Sequence, residues 1–228
     1  IGIAGIAWGS KLMPVKVMDA SGLGLYSEVA EGIVYAADNG ARVINLSLGG
    51  PAPSQMLQDA IDYAYQRGAI IVAAAGNSGT TGPIYPAAFQ QVIAVAAENS
   101  DGTRWEQSSY GDHIDAIAPG VGILSTSLGG GYSSATGTSA AAPHISAISA
   151  LLLSIDSSTT NGKIENSMGN TIDVSKLLDT NIARTLHSTT VHSYLLSQSL
   201  RIIKEQIALE PWQHEIWSTV GAGEYTGG

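Results

Sequence analysis

The seven-residue run Ala69–Ala75, Ala-Ile-Ile-Val-Ala-Ala-Ala, has no polar residue on either face, and this constrains the fold more than any other feature of the chain. A strand sends successive side chains to opposite faces, so such a run must be covered on both sides, as parallel strands are when helices flank the sheet. The segments Leu12–Met18, Val43–Leu48, Gln91–Ala97 and Ile114–Ala118 read as further strands. Helical patterns fall between them. Tyr26, Val29, Ala30, Ile33, Val34 and Ala37 form one apolar face, stopped at Asn39-Gly40. Ser54 is placed to cap a second helix with the face Leu57, Ala60, Ile61, Ala64 and Tyr65, which ends at Gly68. Thr138–Ile155 reads as a third helix, rich in small residues, with Pro143 in its first turns. Strands alternating with helices in this way predict an α/β fold with a mostly parallel central sheet flanked by helices.

Length and charge narrow the function. With 228 residues the chain can bury a sizeable core, and 44% hydrophobic against 13% charged residues suits a compact protein. A net charge of −9, without a Lys/Arg-rich segment, argues against nucleic-acid and anionic-membrane partners. No apolar run approaches the roughly 18 residues that would span a bilayer. The absence of cysteine excludes disulfides and thiolate chemistry. After Asp156 the character changes: Ser, Thr and Asn cluster to Asn170, helical periodicity runs from Val174 to Glu210, and Gly221–Gly228 is glycine-rich. We therefore expect residues 1–155 to form one unit and 156–228 a divergent helical extension or appendage.

Three segments carry chemistry: Asn45-Leu46-Ser47-Leu48-Gly49-Gly50, Ala73-Ala74-Ala75-Gly76-Asn77-Ser78-Gly79, and Gly137-Thr138-Ser139-Ala140-Ala141-Ala142-Pro143-His144. In order, they resemble the substrate-binding strand, the oxyanion asparagine motif and the nucleophile motif of the subtilase family of serine proteases. Tyr85-Pro86 and Ala118-Pro119-Gly120 match as well, and the resemblance covers about residues 1–155. It implies a three-layer subtilisin-like fold and hydrolysis of peptide bonds through an acyl-enzyme on Ser139. Physically, Ser139 begins a helix, where unpaired N–H groups and the positive dipole end favour a developing anion. Taken alone, a serine there is ordinarily a cap, and an Asn between glycines is ordinarily a turn residue. The resemblance gives Asn77 and the Ser139 N–H as oxyanion donors. It gives Ser47, Leu48 and Gly49 as backbone partners of an extended peptide, Ala74, Ala75 and Gly76 as a pocket wall, and Tyr26 as part of a pocket further upstream. A cis peptide is expected at Pro86. The same resemblance implies a secreted monomer acting on polypeptides without a catalytic cofactor. Structural Ca²⁺ is common among relatives, and here the carbonyls of Ile1–Ile3 would be its ligands.

One part of the pattern is missing. In subtilases a catalytic Asp and then a His precede the serine. Only His113 precedes Ser139, in Asp112-His113-Ile114-Asp115, which matches a non-catalytic stretch and reads as solvated; His144 reads as a packed structural residue. Ile1–Trp8 resembles the stretch shortly after the catalytic-histidine helix. The Asp strand and the His helix are therefore expected upstream of Ile1, and residues 1–228 are expected to be inactive alone. Three rivals remain. An α/β-hydrolase esterase could draw on Asp173, Asp179, His187 and His192, but Ala141 stands where its nucleophile elbow needs glycine. A dinucleotide-binding reading of Gly22-x-Gly24 fails at Ser27. A non-catalytic, peptide-binding relative stays open.

Overall fold

The computed structural model describes residues 3, 5–160, 162 and 172–173. In chain order its elements are α1 (Tyr26–Asp38), β1 (Val43–Leu46), α2 (Gln55–Gln66), β2 (Ile70–Ala74), β3 (Val92–Glu98), β4 (Ala116–Pro119), β5 (Ile123–Thr126), β6 (Tyr132–Ala135), α3 (Thr138–Ile155) and β7 (Ile172–Asp173). Strands β1, β2, β3, β4 and β7 make one parallel sheet in that order, and β5 and β6 make a separate antiparallel hairpin.

The register explains why the central strands contain so little polarity. Val43 lies opposite Ile70, Asn45 opposite Val72, and Ala73 opposite Ala94, so like-facing residues stack across the sheet. Ile44, Leu46, Ile71, Ala73, Val92 and Ala94 face α1 and α2, packing on Ile33, Leu57 and Ile61. Ile70, Val72, Ala74, Ile93, Val95 and Ala97 face α3, packing on Ala141, Ala142, Ile145 and Ile148. The result is helix, sheet and helix in three layers. Burying each Val or Ile side chain this way contributes about 1.5–3 kcal/mol, and β2 is buried along its whole length. The alanines of α3 let that helix lie close to the sheet.

The helix ends follow their local chemistry. Leu25 precedes α1, and its N–H donates to the Glu28 carboxylate at 3.0 Å. Ser54 Oγ accepts from Leu57 N at 3.4 Å at the start of α2. The strands are displaced or shorter by up to two residues against the sequence reading, while α3 spans the predicted residues.

Three expectations need correction. Leu12–Met18 is not a strand. Leu12, Met13, Val15 and Val17 share the lining of a cavity of about 1110 Å³ with residues of β1, and among the described residues no backbone hydrogen bond involves this segment. A strand exists by pairing, and apolar character alone does not supply a partner. Tyr65 is 41% exposed rather than part of the α2 core face. The β5–β6 hairpin was not anticipated; its second strand is exposed throughout and offers no apolar alternation to read. The helical periodicity at Val174–Glu210 and the glycine-rich end lie outside the described residues.

Candidate active site

The C-terminal end of β1 and the N-terminal end of α3 meet through two reciprocal hydrogen bonds. Ser47 Oγ donates to the Ser139 carbonyl at 2.9 Å, and Ser139 Oγ donates to the Ser47 carbonyl at 3.2 Å. Ser139 is the second residue of α3, in the turn whose N–H groups have no intrahelical acceptors. Gly137 precedes the helix at φ +146°, a backbone region that residues with a Cβ scarcely enter.

Asn77 reaches the same helix start from β2. Its Oδ1 accepts from Thr138 N at 2.9 Å and from Thr138 Oγ1 at 3.0 Å. The Thr138 hydroxyl in turn accepts from Gly76 N at 3.0 Å. With Oδ1 held on one side, the amide nitrogen is turned toward Gly137, where a Cβ would sit 3.2 Å from it. Glycine at 137 is thus required twice, by its dihedral and by the close approach of Asn77. The turn carrying Asn77 is secured from outside. Ser109 N donates to Gly76 O at 2.9 Å, Gly79 N to Gln107 O at 2.8 Å, and Tyr110 N to Thr80 O at 3.1 Å. Arg104 holds that outer loop, its Nη1 donating to the carbonyls of Trp105, Glu106 and Ser108 while its guanidinium lies 4.5 Å from the Tyr110 ring centre.

The substrate-strand residues continue from β1. Ser47 and Leu48 are buried, and a Cβ on Gly49 would come within 2.5 Å of Ile84 Cγ2 and 3.0 Å of Tyr85 O. Gly50 and Tyr85 exchange backbone hydrogen bonds of 2.9 and 2.8 Å, and the Tyr85–Pro86 peptide is cis, as expected. Ala74 and Ala75 lie in the core, so of the three pocket-wall residues only Gly76 reaches partial exposure. The Tyr26 hydroxyl donates to Ala52 O at 2.8 Å and ties the start of α1 to the loop after Gly50.

Neither described histidine is a base for Ser139. His144 is buried on α3, with Nδ1 3.2 Å from the Ala140 carbonyl as an i to i−4 contact. His113 is not solvated as expected. Ile114 N donates to Gly111 O, the turn folds the ring inward, and Nε2 is buried without a hydrogen-bond partner among the described residues. Burial also pushes the Asp115 carboxyl above the usual carboxylate range, opposed by the Ala94 N–H that it accepts and by His113. Asp179, His187 and His192 lie outside the described residues. Among the described residues no group of three or more His, Asp or Glu could hold a metal ion, and no helix is long and apolar enough to cross a membrane.

The geometry adds residues that the motifs did not single out. Thr138 orients Asn77, Arg104 anchors the loop behind it, and Asn45 with Ser146 extends the Ser47–Ser139 contact into the core. Thr138 stood inside the recognised motif. Arg104 carried no local signal, because its acceptors are backbone carbonyls.

Comparison with known proteins bears on the family of the chain. The family model described as "Subtilase family" matches residues 1–193, further into the C-terminal region than the motifs reach. Thermitase from Thermoactinomyces vulgaris is 45% identical over 172 residues, covering 75% of this chain and 61% of that protein. Subtilisin BL from Lederbergia lenta is 42% identical over 171 residues, covering 75% and 64%. Among solved structures, a protease from Pseudoalteromonas arctica PAMC 21717 superposes with a TM-score of 0.70 at 35% identity, covering 73% of this chain and 57% of that one. The chain thus spans less than two thirds of the length of each of these relatives.

Proposed function

The chain belongs to the subtilase family, and from that premise we propose that it supplies the nucleophile, the oxyanion site and the substrate strand of a serine endopeptidase. Ser139 Oγ attacks the carbonyl carbon of the scissile peptide bond and gives its proton to the histidine expected upstream of Ile1. The carbonyl oxygen becomes an oxyanion held by the Asn77 amide and the Ser139 N–H. The tetrahedral intermediate then expels the amine, which takes the proton held by that histidine, and water, deprotonated by the same histidine, hydrolyses the ester on Ser139, releasing the carboxylic acid and returning the proton to Ser139 Oγ. The backbone at Ser47–Gly49 pairs with the extended substrate as an added strand, where the glycine allows close approach.

The observation that carries this reading is the double hold of Thr138 on Asn77 Oδ1, one residue before Ser139 at the start of α3. The test is peptide hydrolysis by the product of the complete coding sequence, compared with Ser139→Ala and Asn77→Ala. We expect Ser139→Ala to abolish turnover and Asn77→Ala to reduce kcat with little change in KM. Equal activity in all three would overturn the proposal.

A second reading is peptide binding without hydrolysis, with the Ser139 hydroxyl kept in its contact with the Ser47 carbonyl. It predicts that the complete protein retains peptide affinity with no turnover at all. An extracellular site of action, a monomeric state and structural Ca²⁺ rest on the family resemblance alone. The Ile1–Ile3 loop proposed for calcium lies largely outside the described residues.

A further inference from the structure

Behind the two serines runs a chain of hydrogen bonds that the reaction itself does not require. Ser146, seven residues after Ser139 on α3, donates from Oγ to Asn45 Oδ1 at 2.8 Å. Asn45 Nδ2 donates to Ser47 Oγ at 2.9 Å. Ser47 Oγ in turn donates a hydrogen bond to the Ser139 carbonyl at 2.9 Å. Asn45 and Ser47 are both buried, and Asn45 sits on the α3 face of β1 among apolar neighbours. An amide placed there is retained at a desolvation penalty unless its hydrogen bonds are made.

The direction of the chain matters. A hydroxyl has one proton to give. Because Asn45 presents its NH₂ to Ser47, the Ser47 oxygen accepts there and its proton remains available for Ser139. With the amide turned over, an oxygen would face Ser47 Oγ, and Ser47 would donate to Asn45 in place of Ser139. Ser146 Oγ, which has the Ala142 carbonyl at 3.2 Å as its other acceptor, lies closer to Asn45 Oδ1 at 2.8 Å and so favours the first orientation.

We propose that Asn45 is a positioning residue for the nucleophile: through Ser47 it fixes the carbonyl of Ser139, and with it the start of α3, against the end of the substrate strand. The inference rests on the acyl-enzyme reading of Ser139. It acts on the alignment of the Ser139 N–H and Oγ and not on the affinity for peptide.

The experiment is a double-variant cycle in the complete protein, with kcat expressed per titrated active site so that any misfolded fraction drops out. Asn45→Ala and Ser47→Ala should each lower kcat about tenfold, the equivalent of one buried hydrogen bond, with KM within about twofold of the parent. Because both act through the same contact, the double variant should be no slower than either single one. If near-UV circular dichroism shows that Asn45→Ala does not fold, Ser146→Ala with Ser47→Ala carries the same cycle, since Ser146 sits at the relay's far end. Losses that multiply in the double variant overturn the proposal, as does an unchanged kcat in Asn45→Ala. Turnover that survives Ser139→Ala identifies the other failure, that of the acyl-enzyme reading.

Discussion

Replacing Thr138 with valine removes one hydroxyl and almost no volume, which isolates the hold on Asn77. The side chain is fully buried, its Oγ1 donates to Asn77 Oδ1 and accepts from Gly76 N, both at 3.0 Å. Valine deletes the first bond and leaves the Gly76 N–H without that acceptor. A lost intramolecular bond contributes about 0.5–1.5 kcal/mol and an unsatisfied buried donor about 1–3, so the variant should be less stable by on the order of 2–4 kcal/mol. In a domain of this size that lowers Tm by roughly 4–16 °C. The kinetic effect has a ceiling. Deleting an oxyanion amide lowers kcat by about 10²–10³-fold, a magnitude that comes from subtilisin itself and is not worked from this geometry. Asn77 Oδ1 keeps its bond from Thr138 N at 2.9 Å, so the amide loosens without leaving. We expect about a tenfold fall in kcat, the equivalent of one hydrogen bond. Urea denaturation and active-site-titrated hydrolysis measure the two effects, with Thr138→Ser, which keeps the hydroxyl, expected to lose less in both. A valine variant as stable and as fast as the parent would refute the argument that this hydroxyl orients Asn77.

Three further outcomes follow from single positions. Gly137→Ala forces a Cβ into φ +146° and to within 3.2 Å of the Asn77 amide; denaturant titration should show a loss of about 1–3 kcal/mol, and kcat should fall with it. Arg104→Ala removes the donor to three carbonyls behind the Asn77 turn. Amide hydrogen exchange at Gly79 and Ser109 should accelerate, and an unchanged exchange rate would remove Arg104 from the account. Burial raises the Asp115 carboxyl in the folded chain. The native state therefore holds its proton to higher pH than the unfolded state does, and stability falls as pH rises from the ordinary carboxylate range through the raised one. Asp115→Asn abolishes that slope. Urea midpoints at roughly pH 4 and pH 8 should show the variant gaining on the parent at the higher pH, and a gain at the lower pH instead would reverse the assignment.

Several features were settled by residue pattern alone. Ala69–Ala75 has the length and composition of a strand covered on both faces, and the structure buries β2 between α1 and α2 on one side and α3 on the other. The helix limits at Asn39-Gly40, Ser54, Gly68 and Thr138–Ile155 were legible because caps and stops act within a few residues of the chain. The motif residues Asn77 and Ser139, each ordinary as a turn or cap residue alone, were singled out by the resemblance of their segments to the subtilase motifs, and each segment carries a glycine at positive φ, Gly76 and Gly137.

What pairs with what over long separations was decided only by the tertiary structure. Leu12–Met18 has strand composition, yet it forms no ladder among the described residues, because a ladder depends on a neighbour that local propensity does not specify. The hydrogen bonds of Thr138 to Asn77 and of Ser146 to Asn45 span 61 and 101 residues. They exist because α3 lies on the sheet face that carries Asn45 and Asn77 follows the end of β2. No periodicity in either segment encodes that meeting. Sequence chose the elements and the chemistry of their ends; packing chose which ends meet, because buried polar groups are satisfied by whatever the folded layers bring within hydrogen-bond reach.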